Sequence, residues 1–330
     1  IDDPSAYFQT TLYSGTGSSQ AVTNTGNSDL QPDWVWLKVR SNGTYGHVVF
    51  DSVRGVNKAL FPNANNNEED QSSDVSLSSF NSDGFTVGGY FNNVNQSGQT
   101  FVSWQWKKTA DAGFDIVTAT GNATAKTIAH SLSAVPHVMI AKEKSGSIND
   151  WTVYHHKNTA APETDSLILN ETNATADQNT HWNDTAPTSS VFTVGTGSVV
   201  NRNSSTYVYY LFSEKQGYSK FGSYKGNGNA DGTFVYTGFK PAFVIIKDTA
   251  ARDWIMLDNK RNPFNVADNR LFPNSTDAQN TGVDALDFTA QGFKIRSTNS
   301  TVNVSGNIYA YAAFAENPFV SSTGVPATAR

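Results

Sequence analysis

Carboxylates and histidines are the residues of this sequence whose types and spacing could do chemistry. Glu68, Glu69 and Asp70 form one acidic run, and oxygen ligands of this kind bind Ca²⁺. The run matches no ordered calcium-binding spacing and has no counterpart later in the chain, so a solvated loop tip is the favoured interpretation. The six histidines contain no H-x-x-x-H or H-E-x-x-H pattern. The adjacent His155 and His156 would face opposite sides of a strand, so we expect structural histidines and no metal or cofactor.

An Asp–Arg pair occurs twice, as Asp51 with Arg54 and as Asp258 with Arg261. The pairs could form a polar binding rim or brace a turn, and the second interpretation is favoured. No nucleophile or acid partner stands out, Gly-x-Ser-x-Gly is absent, and the glycine-rich stretch 226–230 lacks the lysine of a phosphate loop. The sequence therefore predicts no catalytic residue and no enzyme.

Aromatic side chains are the remaining candidates for binding, because Trp and Tyr stack on sugar rings and anchor interfaces. Burial in a core is the alternative for each of them. Trp182, within the polar stretch 179–184, is the least core-like and is predicted to be an exposed contact. The candidate binding residues are Trp182, His181, Trp151 and Trp254.

Glycosylation sequons are frequent in this Asn-, Ser- and Thr-rich chain, and they give weak support for exposed loops. They begin at Asn42, Asn95, Asn122, Asn170, Asn173, Asn183, Asn203, Asn274, Asn299 and Asn303.

Composition limits the classes of protein that fit these residues. Only 16% of the 330 residues are charged, the net charge is −6, and the polarity comes from residues that suit turns and strands. An acidic chain does not suit nucleic-acid binding, and the absence of an apolar run of about 18 residues argues against membrane insertion. The absence of cysteine excludes disulfides and thiolate metal sites.

Internal repetition organises the whole chain. A proline, an apolar run and a lysine recur at 32–38, 136–142 and 241–247, so the lysines are 104 and 105 residues apart. Four further landmarks keep the same order around them. These are a glycine-rich turn (14–17, 120–122, 226–228), a Leu-to-Asn segment (60–63, 167–170, 271–274), a segment containing Phe (84–87, 191–194, 292–295) and an aromatic closing strand (100–106, 206–212, 308–314).

The landmarks predict an all-β protein of three tandem β-sandwich, jelly-roll-like repeats of about 105 residues. Short apolar segments bounded by Gly, Asn, Ser and Asp clusters favour this fold over a propeller. The Pro-to-Lys runs are continuously apolar and predict central strands buried on both faces. We place the units at 1–110, 111–217 and 218–318, followed by an extended or poorly ordered tail at 319–330. Short helical turns are expected around Ser52–Lys58 and Pro263–Asp268.

Several segments resemble a repeat found in tail-fibre-like structural proteins of marine tailed phages. They are residues 3–17 (DPSAYFQTTLYSGTG), 53–58 (VRGVNK), 83–88 (DGFTVG), 101–107 (FVSWQWK), 218–230 (YSKFGSYKGNGNA) and 313–319 (AFAENPF). The resemblance covers nearly the whole chain and implies a virion context, with no catalytic or binding residue to carry over. The second unit departs most, at residues 155–157 and in the polar insertion 170–185.

The sequence thus predicts a non-enzymatic protein of the virion surface, hence extracellular: a phage tail fibre, spike or capsid-decorating subunit that contributes to host-surface recognition. Expected partners are other virion proteins, further copies of the chain, with a homotrimer favoured, and a host surface glycan. The alternative to a homotrimer is that the three units surround a pseudo-threefold axis within one chain. The alternative function is a carbohydrate-binding or adhesive module of a cell surface, and a glycan-degrading enzyme is the least favoured.

Overall fold

The fold is built almost entirely from antiparallel strands. A computed structural model describes residues 1–73, 75–322, 324 and 326, with 41% strand and 7% helix. This confirms the all-β prediction. Within these residues, no helix is long and apolar enough to cross a membrane. Half of the predicted tail (323, 325 and 327–330) lies outside the described residues.

The first sequence unit forms a six-stranded and a three-stranded sheet. Its strands are β1 (Phe8–Ser14), β2 (Gln20–Val22), β3 (Trp34–Val39), β4 (Val48–Asp51), β5 (Gly55–Leu60), β6 (Glu69–Asp70), β7 (Leu77–Phe80), β8 (Phe85–Val87) and β9 (Thr100–Trp106), with a 3₁₀ turn at Pro4–Ala6 and a helical turn α1 at Asn92–Asn95. The strand orders are β1-β9-β3-β4-β5-β6 and β2-β8-β7.

The second unit has a six-stranded and a two-stranded sheet. Its strands are β10 (Phe114–Thr120), β11 (Lys126–Ala129), β12 (Val138–Glu143), β13 (Thr152–His155), β14 (Asp165–Ile168), β15 (Ala176–Asp177), β16 (Val191–Val194) and β17 (Thr206–Phe212), with a 3₁₀ turn at Pro162–Thr164 and helical turns α2 (Asn179–Trp182) and α3 (Ser198–Asn201). The orders are β10-β17-β12-β13-β14-β15 and β11-β16.

The third unit has a four-stranded and a three-stranded sheet. Its strands are β18 (Ser219–Lys225), β19 (Phe234–Tyr236), β20 (Phe239–Asp248), β21 (Trp254–Asp258), β22 (Leu286–Thr289), β23 (Gly292–Ile295) and β24 (Ile308–Pro318), with a helical turn α4 at Ser300–Asn303. The orders are β18-β24-β20-β21 and β19-β23-β22.

The three larger sheets share one arrangement. In each, the aromatic closing strand (β9, β17 or β24) lies between the first strand of the unit and the strand that carries the shared lysine. Every residue of β3 and of β12 is buried, which confirms that the Pro-to-Lys runs are central strands with two covered faces.

A buried asparagine fixes the turn before each closing strand. Asn95, Asn201 and Asn303 are each 0% exposed at the last position of α1, α3 and α4. Each side chain accepts a hydrogen bond from the glycine-rich turn of its own unit and donates to the backbone near the Phe-containing segment. Two of these residues begin sequons, so the weak prediction of exposed sequon loops is wrong at Asn95 and Asn303. It is also wrong at Asn170, which is 5% exposed.

Apolar side chains are divided among four clusters, and one of them belongs to all three units. Three clusters each contain residues of a single unit. The fourth gathers the opposite faces of the larger sheets and is rich in aromatic rings. Within it, Trp34 stacks on Tyr210 with ring centroids 4.7 Å apart, and Phe8 stacks on Phe314 at 5.4 Å. Aromatic burial on this scale is a large source of stability.

The helical turns expected around Ser52–Lys58 and Pro263–Asp268 are wrong. The first segment is a tight turn that leads into β5, since the side chain of Asp51 accepts hydrogen bonds from the backbone of Val53 and Arg54. The second has no helix. In the first segment the Asp51 side chain therefore supplies the backbone hydrogen bonds that a helix would have made.

Candidate functional site

Each shared lysine has its ammonium group buried among backbone carbonyls. Lys38, Lys142 and Lys247 are 0% exposed. Each Nζ donates to at least one carbonyl near it in its own unit and to one carbonyl of another unit. In the same order, the inter-unit acceptors are Thr276 O (2.9 Å), Asn65 O (2.9 Å) and Thr172 O (3.4 Å). Burial away from water lowers the pKa of all three lysines to about 8.

Backbone hydrogen bonds repeat this pattern two residues after each lysine. The carbonyls of Arg40, Lys144 and Thr249 accept from another unit. The donors, in the same order, are Gln279 N (2.8 Å), Glu68 N (3.0 Å) and Thr175 N (2.9 Å). Unit one therefore contacts unit three, unit two contacts unit one, and unit three contacts unit two, so the contacts close a cycle.

Trp151 and Trp254, two of the predicted binding residues, lie inside these junctions. Trp151 Nε1 donates to Phe61 O at 2.9 Å, and Trp254 Nε1 donates to Ile168 O at 2.8 Å. Their exposures are 0% and 7%. An exposed role for them is wrong, because the polar edge of each indole is used on a carbonyl of the neighbouring unit.

His47 occupies the equivalent position in the first unit. It is fully buried, and its Nδ1 accepts a hydrogen bond from Trp36 Nε1 at 2.9 Å. Burial, followed by the charge of Lys38, holds the pKa of His47 well below 6.5. This histidine is buried and bonded within the fold, in agreement with the structural role expected from the sequence, and its lowered pKa keeps it neutral near pH 7.

Trp182 and His181 are also buried, which overturns the prediction of an exposed contact. Helical turn α2 directs Trp182 into the core of the second unit, where it is 0% exposed and its ring centroid is 6.0 Å from that of Tyr154. His181 is 9% exposed, and its Nδ1 lies 2.9 Å from Ser166 Oγ. Burial lowers the pKa of His181 to about 4. The polar sequence around Trp182 concealed a core position.

The two Asp–Arg pairs brace turns, as predicted. In each pair one carboxylate oxygen accepts from the two backbone N–H groups of the turn and the other contacts the arginine Nε. Both aspartates also serve junctions, because Asp51 Oδ2 accepts from Tyr210 OH at 2.7 Å and Asp258 Oδ2 accepts from Trp104 Nε1 at 3.0 Å.

The acidic run is an element of structure, so its interpretation as a solvated loop tip is wrong. Glu69 and Asp70 form the edge strand β6. Glu68 pairs with Arg54 at 3.0 Å, and Asp70 pairs with Lys58 at 2.6 Å. Glu68 and Asp70 are therefore paired with basic residues of the same unit, and Glu69 accepts hydrogen bonds from the side chains of Asn66 and Gln71.

The cyclic contacts place equivalent positions of the three units at three junctions. We call them the one-two, two-three and three-one junctions. Their facing residues are Asp33, Ser52, Lys108 and Asp115 in the first; His137, His156, Glu214 and Lys220 in the second; and Ala242, Asn259, Glu316 and Gln9 in the third.

Charge fills the one-two junction. Lys108 Nζ lies 3.4 Å from Asp115 Oδ1. The Asp33 carboxylate accepts from Ser52 Oγ at 2.6 Å and from the backbone N of Lys108 at 2.7 Å.

Imidazoles fill the two-three junction. The rings of His137 and His156 have centroids 4.4 Å apart, and His156 Nε2 lies 2.7 Å from Phe221 O. Glu214 pairs with Lys220 at 2.9 Å. Burial lowers the pKa of His156 to about 4 and also lowers the pKa of His137, so both rings are neutral near pH 7. One ring nitrogen of His137, one ring nitrogen of His156 and one carboxylate oxygen of Glu214 lie within 4.8 Å of one another. These three residues could therefore hold a metal ion.

The three-one junction contains an open polar cavity of about 220 Å³. Thr10 and Asn259 are among the residues that line it, and Thr10 Oγ1 and Asn259 Oδ1 are buried atoms without a hydrogen-bond partner in the described part of the chain. The two residues are only 4% and 3% exposed. Asn259 Nδ2 donates to Glu316 Oε2 at 2.8 Å, which fixes the amide with its oxygen turned away from that bond, and Phe8 provides an apolar wall. We call this cavity the polar cleft.

Sequence reasoning missed both the polar cleft and the imidazole pair. His137 and His156 come together because β12 and β13 pair with Val138 opposite His155. The polar cleft needs residues from the two ends of the sequence, Thr10 and Asn259. The alignment of the three units contained a usable signal for both sites. The residues at these junction positions differ from unit to unit, although the landmarks around them agree.

Fold and site together define an all-β protein of three cyclically joined units whose junctions differ in chemistry. The chain belongs to a family described as Domain of unknown function (DUF7483), whose model matches residues 3–318 and so spans all three units. No curated protein sequence matches the chain.

Proposed function

We propose that this chain is a non-enzymatic structural protein of a virion surface, built from three β-sandwich repeats that close into a three-unit ring. The observation that supports the ring most strongly is the cyclic set of inter-unit hydrogen bonds from Lys38, Lys142 and Lys247. The repeated sequence landmarks and the resemblance to phage tail-fibre-like repeats support the virion setting.

The buried acidic residues favour a structural protein over an enzyme. Asp51 and Asp258, both 0% exposed, are committed to their turns, to an arginine and to an aromatic donor of another unit. A general acid or base must reach substrate, and these carboxylates instead support the ring.

Host-surface recognition in this proposal takes place at the polar cleft, with a neutral sugar as the ligand. Asn259 Oδ1 is a pure acceptor and Thr10 Oγ1 both donates and accepts, so a small rotation that turns these buried atoms toward the cleft would match them to the hydroxyl groups of a sugar. Leaving such atoms buried without partners costs about 1–3 kcal/mol each, and a ligand or water that bonds to them recovers part of that cost. The volume of about 220 Å³ limits the occupant to roughly one sugar ring, since drug-sized ligands need about 300–1,000 Å³.

Ligand-observed NMR with neutral and acidic monosaccharides tests the cleft. We expect a neutral sugar to bind with millimolar affinity and to lose most of its signal with Thr10→Val or Asn259→Leu. Thr127→Val, which makes the same change at an exposed position of β11, is the matched control. Equal binding by all variants, or occupation by water alone, would contradict a sugar site.

The virion setting has its own test. An antibody against the chain should label the surface of purified phage particles, and the chain should appear among their proteins by mass spectrometry. The homotrimer remains a prediction, and the mass of the purified protein in solution decides it.

The second candidate function is a carbohydrate-binding module of a cell-surface protein, and the polar cleft favours it equally. Location separates the two functions. Sugar binding by a chain that fractionates with cell envelopes and never with particles would support the second candidate.

A further inference from the structure

We propose that His137, His156 and Glu214, at the two-three junction, form a binding site for one divalent transition-metal ion such as Zn²⁺. Imidazole nitrogen and carboxylate oxygen are ligands that Zn²⁺ takes in proteins, and two histidines with one glutamate are a sufficient protein set. One ligand atom from each of the three residues lies within 4.8 Å of the other two. This site is separate from the polar cleft and does not depend on sugar binding there.

Adjacent strands of one sheet hold the three ligands. His137 directly precedes β12, and His156 directly follows β13. The backbone N of His156 donates to His137 O at 2.8 Å, which keeps the two imidazoles side by side. Glu214 lies two residues beyond β17, the other neighbour of β12. A site built on paired strands is more rigid than one built on loops.

The hydrogen bond of His156 involves the ring nitrogen that lies near Glu214. Its Nε2 lies 2.7 Å from the carbonyl of Phe221, which can only accept, so Nε2 carries the proton, and the same nitrogen lies 3.9 Å from Glu214 Oε1. Coordination therefore requires either that Nε2 gives up this bond and its proton or that the ring turns to present Nδ1 to the metal, in which case a carbonyl bond to Nε2 would support the ligand as it does in other metal sites.

Metal binding must compete with interactions that the ligands already make, among them the bond from Phe221 N to Glu214 Oε1 at 2.9 Å. Lys220 Nζ lies 2.9 Å from Glu214 Oε2 and competes for that carboxylate. His137 Nδ1 accepts a hydrogen bond from the backbone N of Glu214 at 3.1 Å. Atoms that share a tetrahedral zinc at about 2.1 Å lie roughly 3.4 Å apart, so the side chains must also draw closer. These costs predict moderate affinity.

The ion can reach the site from solvent, and only one junction has the ligand set. The side chains of His156 and Glu214 are 20% and 22% exposed, which leaves room for water to complete the coordination. The equivalent residues are Asp33, Ser52 and Lys108 at the one-two junction and Ala242, Asn259 and Glu316 at the three-one junction. We therefore expect one ion per chain.

Calorimetric titration of the chelator-treated protein with ZnCl₂ tests the proposal. We expect one Zn²⁺ per chain in the micromolar range, with the affinity falling at least tenfold in His156→Gln and in Glu214→Gln. His130→Gln removes a histidine outside the cluster and should bind like the parent protein. No uptake by the parent protein, or an equal loss in His130→Gln, would overturn the site.

Two further measurements keep the test decisive if a histidine variant unfolds. Lys220→Gln removes the competing ammonium and should tighten Zn²⁺ binding several-fold, whereas a site elsewhere would not respond. Long-range ¹H–¹⁵N spectra should show Zn²⁺ shifting the ring nitrogens of His137 and His156 and leaving those of His181 in place. Unshifted resonances of His137 and His156 at saturating Zn²⁺ would exclude them as ligands.

Discussion

The two-three and three-one junctions occupy equivalent places in the molecule and are built from different chemistry. At the first, His137 and His156 lie side by side and Glu214 is paired with a lysine. At the second, Ala242 and Asn259 take the places of the two histidines, and a cavity of about 220 Å³ opens instead. The lysine and backbone contacts behind them are nevertheless the same.

This difference separates stability from chemistry. The buried lysines and the backbone hydrogen bonds hold every junction, so the facing side chains are not needed for closure. Those side chains can then vary, and both candidate sites are found among them. Contacts that recur at every junction should therefore matter for folding, and residues found at one junction should matter for ligands.

Removing a shared lysine gives the largest expected effect. Lys38→Met and Lys247→Met each leave buried carbonyls without a donor, so each should lower the free energy of unfolding by about 2–3 kcal/mol. Chemical denaturation measures both, with the exposed Lys225→Met as a control that should change little. If one of these variants lost much of its free energy of unfolding and the other lost none, the shared lysines would not be equivalent in stabilising their junctions.

Acid should weaken the three-one junction through His47. The folded pKa of this buried imidazole is well below 6.5, so the unfolded chain binds more protons below that pH. The free energy of unfolding should fall by up to about 1.4 kcal/mol per pH unit from this group as the pH drops below about 6.5. Denaturation curves between pH 7 and 5 check this, and His47→Gln should have a smaller slope. If the free energy of unfolding of His47→Gln depends on pH as steeply as that of the parent protein, groups other than His47 cause the acid sensitivity.

A smaller effect, an increase in stability, is expected from filling a cavity beside small side chains of the third unit. The shared aromatic cluster contains an apolar cavity of about 60 Å³, lined in part by Ala310 and Ala312. The other units carry Trp104 and Tyr210 at the position of Ala312. Ala312→Val should raise the free energy of unfolding by about 0.5–1 kcal/mol by filling space. Thermal melts measure it against Ala129→Val at an exposed strand position, and a lower melting temperature would mean overpacking.

The smallest expected effect is at the polar cleft. Thr10→Val removes a buried hydroxyl that has no partner in the described chain, so the free energy of unfolding should change by less than about 0.5 kcal/mol or rise slightly. The adjacent Thr11 is buried and donates to Asn24 Oδ1 at 2.7 Å, so Thr11→Val should cost about 1 kcal/mol. If Thr10→Val and Thr11→Val lowered the free energy of unfolding equally, the Thr10 hydroxyl would already have a hydrogen-bond partner.

Much of the β fold was predictable, because its signals are local. The apolar runs before Lys38 and Lys142 form fully buried strands, and Asp51 and Asp258 brace turns with the arginines three residues later. Strand burial and turn formation depend on neighbours in the sequence, so the repeated spacing was enough to predict them.

The candidate sites were not predictable, because they depend on contacts distant in sequence. Trp182 lies in a polar stretch, and only the helical turn α2 shows that it is buried. Thr10 and Asn259 meet only when the third unit closes onto the first. Strand register, which composition does not reveal, brings His137 beside His156.

The cyclic contacts have an evolutionary consequence. A homotrimer of one unit would carry any substitution at three junctions at once, so a histidine pair or a polar cleft would appear three times or not at all. Joining the units in one polypeptide removes that constraint, because each codon then affects one junction. The tandem arrangement thus lets a symmetric scaffold carry different side-chain chemistry at each of its three junctions.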